Sequence, residues 1–272
     1  MGRRWLLYVG VAIIVVYCLI PFYWMVVSAL RRPNDQFDNS PVPSPISFEN
    51  FETVFAKGVG FGRSLLNSVV VAGTTTLITL IVGTFAAYTL ARLNFRGKNI
   101  AAALIIATSM FPGVSLVVPL LKLFTEIGWI STYQAMILPS LSFALPLAVW
   151  TLATFFRQMP KELEEAAMVD GLTRGQAFRR VILPLAAPGM FTTAIITFIA
   201  AWNEYIIALS MVTEKEMKTA TVAISQFTGI VNFDSPFGTK MAAGVVVTVP
   251  LVIVVLIFQR RIIAGLTAGG VK

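Results

Sequence analysis

From Trp5 to Leu30 the chain carries no charged side chain, and five later stretches approach the same pattern. A helix rises 1.5 Å per residue, so about 20 apolar residues cross the ~30 Å hydrocarbon layer of a bilayer. A water-soluble fold would leave these runs without enough interior. Charged residues make up only 12% of the chain, about half the share usual in soluble domains. The apolar runs place six membrane-spanning helices at about 5–30, 64–90, 100–124, 135–156, 185–211 and 241–262. The expected fold class is an all-α integral membrane protein, with residues 1–272 read as a single transmembrane domain.

The composition also removes several kinds of chemistry. There is no histidine, which rules out His-based triads, most zinc sites and imidazole proton relays. No pair of carboxylates falls inside the spans, so no catalytic residue and no metal ligand is expected. Cys18 stands alone, and no intrachain disulfide is possible. The first apolar run exceeds the roughly 7–15-residue core of a cleaved signal peptide and reads as a retained span. A net charge of +8 fits basic residues flanking membrane segments, and no nucleic-acid partner is expected.

Those basic residues orient the chain. The short segment 91–99 carries Arg92, Arg96 and Lys98 with no acid, whereas 125–134 carries only Glu126. By the excess of Lys and Arg in cytoplasmic loops, both termini and the segment 157–184 face the cytoplasm. Arg31 and Arg32 sit on the outer side against that rule. The outer segments 31–63 and 212–240 are longer, and Pro33, Pro41, Pro43 and Pro45 mark the first as extended and turn-rich.

One stretch departs from the oily background: PKELEEAAMVDGLTRGQAFRRVILP, residues 160–184. Pro160 suits the first helical position, where its missing N–H is not needed. Glu162, Glu164 and Glu165 follow near the positive end of the helix dipole. Gly171 suits a left-handed terminator. Thr173 and Gln176 have capping-box spacing and open a second helix that Pro184 closes. Leu163, Ala166 and Ala167 are placed on one face, where two small residues admit a close backbone. An anionic lipid surface would repel the acidic first half, so the helix pair reads as a docking surface for a cytosolic protein.

The spacing of this stretch resembles a known signature. Glu165, Ala166, Ala167, Gly171, Leu183 and Pro184 match the EAA–x3–G–x9–I–x–LP pattern of ABC-importer permeases, with Val181 in place of the usual isoleucine. ARLNFRGK (91–98), FFRQMPKELEEAA (155–167), WNEY (202–205) and QRRIIAGLTAGGVK (259–272) look like the carbohydrate-uptake subfamily, nearest the maltose MalG type. Within it, AAYTLARLNFRGK, MFPGVSLVVPLL and ILPLAAPGM look most like the trehalose-importing SugB-like branch.

The resemblance implies the type I ABC-importer permease fold, with a cytoplasmic coupling helix inside loop 157–184. Glu164, Glu165, Ala166, Ala167, Met168, Asp170, Gly171, Leu172, Leu183 and Pro184 would dock on an ATPase, Glu165 pairing with a basic group there. The tail Gly269, Gly270 and Val271 would reach the same partner. The chain lacks a G-x-x-x-x-G-K-[ST] loop, so it cannot hold ATP in that way, and the resemblance implies that it binds no cofactor itself, with ATP and Mg on the partner subunits. The implied assembly comprises a second homologous permease, a dimer of ATP-binding subunits, an extracytoplasmic solute-binding protein and a sugar, held in the lipid of a bacterial inner membrane.

Glu204 is costly inside a span and marks a functional position. With Trp202 and Asn203 it would either line the sugar path or pair with the second permease. Pro112, Pro119, Pro139 and Pro146 in the third and fourth spans either line a cavity or make kinks. A permease for another solute, such as another oligosaccharide or a glycerol-phosphate compound, is the close competitor. An ion-coupled secondary transporter is the more distant one, since it should carry several buried acids or inverted repeats.

Overall fold

The computed structural model describes residues 2–56, 58–227 and 236–268, with the backbone alone for 2–4 and 259–268. All its regular elements are helices: α1 (Gly2–Ala29), α2 (Glu49–Val54), α3 (Phe61–Arg92), α4 (Lys98–Ser109), α5 (Gly113–Glu126), α6 (Tyr133–Gln158), α7 (Glu162–Val169), α8 (Arg174–Leu185), α9 (Ala187–Trp202), α10 (Ile206–Met211), α11 (Ala220–Ser225) and α12 (Phe237–Ala268). Four segments are individually long and apolar enough to cross a bilayer: Trp5–Ala29, Phe61–Arg92, Tyr133–Gln158 and Phe237–Phe258. The pairs α4–α5 and α8–α9 reach that standard together, bent by 89° and 69°, which brings the crossings to six among the described residues.

The third and fifth expected spans are therefore not straight rods. Between α4 and α5, Pro112 has φ −65° and ψ 122°. It offers no N–H and disfavours a helical conformation at Phe111, so the chain turns there. In the stretch 185–211, α9 stops at Trp202 and α10 restarts at Ile206. Pro139 and Pro146, in contrast, lie inside an unbroken α6 with both rings buried. Pro146 also lines an apolar groove of about 390 Å3 with Val82, Leu104 and Val149.

Pro184 does not close the helix it sits in. α8 is α-helical over Arg174–Ala177, π-helical over Phe178–Ile182 and α-helical again over Leu183–Leu185. A proline cannot donate to the carbonyl four residues back, and its ring crowds that carbonyl. The wider π turns move the hydrogen bonding out of the i−4 register just before Pro184. The chain bends only at Ala186, with Pro188 in the first turn of α9.

The chain divides into two compact units. One comprises 1–65 and 220–250. In it the Asn50 amide donates to the carbonyls of Ala29 (3.0 Å) and Arg31 (2.7 Å), and its oxygen accepts from the Thr239 hydroxyl (3.4 Å). Arg31, which defied the orientation rule, is only 3% exposed. Its guanidinium lies 5.1 Å from the Trp24 ring centre and donates to the Ser40 carbonyl, so it fastens the proline-rich loop to the end of α1. Asp38 accepts from the Ser40 hydroxyl and N–H, which holds its carboxyl below the usual range.

The other unit comprises 66–219 and 251–272. Its larger apolar cluster joins Ala87 and Leu90 of α3, Val149, Leu152, Ala153 and Phe156 of α6, Phe178 and Ile182 of α8, and Ala186. A second cluster joins Phe124 of α5, Ala135 of α6, and Ile207 and Met211 of α10. At Asn67, wholly buried in α3, the amide donates to the carbonyls of Glu216 (2.7 Å) and Lys218 (3.0 Å), while its oxygen accepts from Tyr133 (2.8 Å). Ser131 ties the neighbouring loops, its hydroxyl oxygen accepting from the N–H groups of Thr213 (3.0 Å) and Glu214 (3.1 Å).

α6 and α9 approach closely at Gly189, where an added Cβ would lie 2.8 Å from the Phe155 ring. Gly189→Ala is expected to cost about 1–3 kcal/mol through this overlap, read as a lower Tm in detergent. Gly175→Ala, where a Cβ meets nothing within 4 Å, should not lower it.

Candidate docking site

The polar stretch 157–184 is shaped by local hydrogen bonds. α7 begins at Glu162, two residues beyond Pro160, which follows an extended Met159 (φ −73°, ψ 137°) as the steric restriction before a proline favours. At its other end Gly171 has φ +88°. The Gly171 N–H donates to Met168 and the Leu172 N–H to Ala167, both at 3.1 Å, the paired bonds of a left-handed helix terminus. The Thr173–Gln176 capping box forms in both directions, at 2.9 and 3.4 Å.

The helix period then sorts the residues. Glu162, Glu165, Ala166 and Val169 recur at i, i+3, i+4 and i+7 and form one exposed face. Val169 is 87% exposed, the one large apolar side chain on this face. The opposite face carries Glu164, Ala167 and Met168. Ala167 is buried by the chain's own residues, so it does not share the exposed face of Ala166 as the sequence suggested. Asp170 and Gly171 are exposed at the turn, Leu172 and Leu183 are half-buried, and Pro184 is exposed.

The inward face is held by α3. The Tyr88 hydroxyl donates to Glu164 Oε1 at 2.6 Å. Arg92 donates to the Met159 carbonyl at 2.9 Å, fixing the start of α7. The Tyr88 ring packs 4.5 Å from that of Phe178 and edge-on to Phe156 at 5.9 Å. A cavity of about 180 Å3 is lined by Arg92 from the end of α3, by Lys161, Glu164 and Glu165 from the start of α7, and by Arg174. Tyr88 and Val169 were not singled out from the sequence. Tyr88 lies 76 residues from its partner and gave no signal, whereas the i+7 position of Val169 was available from the helix period.

Trp202, Asn203 and Glu204 lie at the break between α9 and α10. Glu204 Oε1 accepts from the Ile207 N–H at 2.7 Å and Oε2 from the Ala208 N–H at 3.0 Å. These N–H groups open α10 and have no carbonyl of their own helix to meet, so the carboxylate acts as a cap. Trp202 is 1% exposed, its ring stacked 5.6 Å from Phe198. The exposed Asn203 donates to the Ile199 carbonyl at 2.9 Å. Gly269, Gly270 and Val271 lie outside the described residues.

Up to six apolar crossings with a charged and capped helix pair between two of them describe a multi-pass membrane protein. The description "binding-protein-dependent transport system inner membrane component" matches residues 79–267, and the chain belongs to that family. It is 45% identical to the trehalose transport system permease protein SugB of Mycobacterium tuberculosis over the full length of both chains. It is 40% identical to the trehalose/maltose transport system permease protein MalG of Thermococcus litoralis, over 99% of this chain and 97% of that one. A crystal structure of a bacterial ABC transporter involved in import of the acidic polysaccharide alginate matches with TM-score 0.79 over 94% of each chain, at 20% identity, a likeness of fold. The chain thus has the type I ABC-importer permease fold and is a non-catalytic transport subunit, with ATP hydrolysis left to a partner ATPase.

Two expectations test this geometry. Gly171→Ala forces an L-residue into left-handed backbone, at about 1–2 kcal/mol, and Thr173→Ala removes a cap worth about 1 kcal/mol. Both should speed amide exchange within 162–180 while leaving the long apolar helices protected. Glu204→Ala strips two N–H groups of their acceptor, each worth about 1–3 kcal/mol when buried. Its Tm in detergent should fall further than that of Glu204→Gln, which keeps one acceptor oxygen.

Proposed function

We infer that the chain is a transmembrane subunit of an ATP-driven importer for a sugar, of disaccharide size and trehalose-like, in a bacterial inner membrane. Identity of 45% to a trehalose permease over the full chain supports the sugar class. The observation that carries the mechanism is the division of α7 into an exposed face and a face bound to the bundle. A helix so divided takes up a soluble partner on one side and moves the membrane helices with the other. In the proposed assembly this chain pairs with a second homologous permease, and two ATP-binding subunits holding ATP and Mg lie on the cytoplasmic side with both termini. A solute-binding protein delivers sugar from the outside.

Docking is assigned to Glu162, Glu165, Ala166 and Val169. Glu165 meets a basic group on the ATPase, Ala166 allows close approach, and Val169 supplies an apolar knob. Asp170, Gly171 and Leu172 orient the turn into α8, and Leu183 and Pro184 set where α8 joins α9. The tail Gly269–Val271 is assigned a secondary contact with the same ATPase. Closure of the two ATPases about ATP would draw the docking helices together and switch the pathway from inward-open to outward-open. Glu204 stabilises the break in its span rather than holding sugar.

The test is Glu165→Lys in the assembled importer. Copurification of the ATPase subunit and sugar-stimulated ATP hydrolysis should both fall at least tenfold, since reversing one charge of a docked pair costs several kcal/mol. Membrane insertion should stay unchanged. Wild-type values of both quantities would dismiss the docking role. Deletion of the gene should abolish uptake of labelled trehalose; undiminished uptake would dismiss that substrate class.

A further inference from the structure

Glu164 belongs to the same EAA-containing stretch as Glu165, and both border the cavity beside Arg92, but Glu164 is the more buried of the two and is bonded to α3. Its carboxylate is half-buried and accepts from Tyr88 on α3, 76 residues earlier, at 2.6 Å. A hydrogen bond to an ionised acceptor at this length is of the strong, charge-assisted kind. Four residues further along α3, Arg92 grips the carbonyl of Met159 and, more loosely at 3.5 Å, that of Pro160. The last turns of α3 thus hold both the entry and the body of α7. The Tyr88 ring is in turn wedged between Phe156 and Phe178, so the hydroxyl is presented from a fixed position.

The other end of α3 is fastened as firmly. Asn67 uses both amide donors and its carbonyl oxygen on Glu216, Lys218 and Tyr133. Between Asn67 and Tyr88 the helix is unbroken and contains no proline, which at 1.5 Å per residue makes a rod of about 30 Å. A stiff element held at both ends by satisfied polar contacts moves both attachments when it moves.

We propose that α3 is the transmission rod of this permease, with Tyr88 and Glu164 forming the latch that ties the docking helix to it. Asn67 carries the displacement to the loop 212–219. Glu164 is then a positioning residue that transmits movement, whereas Glu165 is the residue that meets the ATPase. The inference rests on the docking role of α7 and assigns its two adjacent carboxylates to separate tasks.

The experiment uses the complete importer in liposomes, with trehalose and ATP. Tyr88→Phe removes one hydroxyl and keeps the ring in its aromatic wedge. The expected result is normal copurification of the ATPase and ATP hydrolysis within about twofold of the parent. Sugar moved per ATP consumed should fall about tenfold, the factor that loss of a bond to a charged group implies. Adding Glu164→Ala to Tyr88→Phe should cost nothing more, because each change breaks the same latch.

Spin labels at the exposed positions Leu163 and Ile81, in a Cys18→Ser background, give a second readout. Their separation should stay constant through the ATP cycle in the parent and spread in Tyr88→Phe. Parent-like transport per ATP in Tyr88→Phe would overturn the proposal, as would additive losses in the double variant. Loss of ATPase copurification in Glu164→Ala would also overturn it, by making Glu164 a docking group. Failure of the underlying docking role registers separately, as retention of the ATPase by Glu165→Lys.

Discussion

In the middle of a bilayer no water is available to a backbone group that leaves its helix, so every departure from helical geometry must be repaired by the protein itself. Among the described residues, the apolar stretches depart from helix at Pro112 and again between Trp202 and Ile206, and the repairs differ. At Pro112 the missing partner is the proline's own absent N–H, and the turn is made where the least bonding is lost. Inside the charged stretch, ahead of Pro184, the helix instead widens into π turns and continues to Leu185. Between Trp202 and Ile206 a carboxylate is brought in to receive the opening N–H groups of α10. Glu204 thus supplies the acceptor that the break calls for.

The charged stretch obeys a different economy because its backbone ends are reachable from water. It closes its helices with a left-handed glycine and a reciprocal cap and needs no distant partner for its shape. What it takes from the rest of the molecule is attachment. Phe178 and Ile182 of α8 enter the same apolar cluster as Leu90 and Phe156, and Tyr88 and Arg92 add polar anchors at its edge. The charged segment is therefore continuous with the packing of the long helices, and force on one is felt by the other.

What could be read from the sequence follows this difference between local and distant causes. The all-α class, the apolar crossings, the Gly171 terminus and the Thr173–Gln176 box depend on residues a few positions apart, and all are in place. The bends were less legible: prolines flagged trouble in the third span, but Pro139 and Pro146 look no different in sequence and leave α6 unbroken. Glu204 was noticed for its cost, yet its acceptor role depends on where α9 happens to stop. The inward turn of Ala167 and the bond from Tyr88 to Glu164 were beyond reach, since each is set by which helix packs beside α7. Arg31 is similar: counted as an exception by charge, it is explained only by Trp24 and the Ser40 carbonyl.

The hydrogen bonds that shape the charged stretch join Ala167 to Leu172, Met168 to Gly171 and Thr173 to Gln176. None uses a side chain from positions 162, 165, 166 or 169. Changes of side chain at Glu162, Ala166 and Val169 leave those bonds in place, whereas Glu165 also borders the cavity beside Arg92. On the docking role proposed for α7, two descendants of a gene duplication can diverge in which ATPase they recruit while keeping one transmembrane architecture, or converge on one shared ATPase while their pathways specialise. Partner choice and cargo choice are separable traits in a molecule built this way.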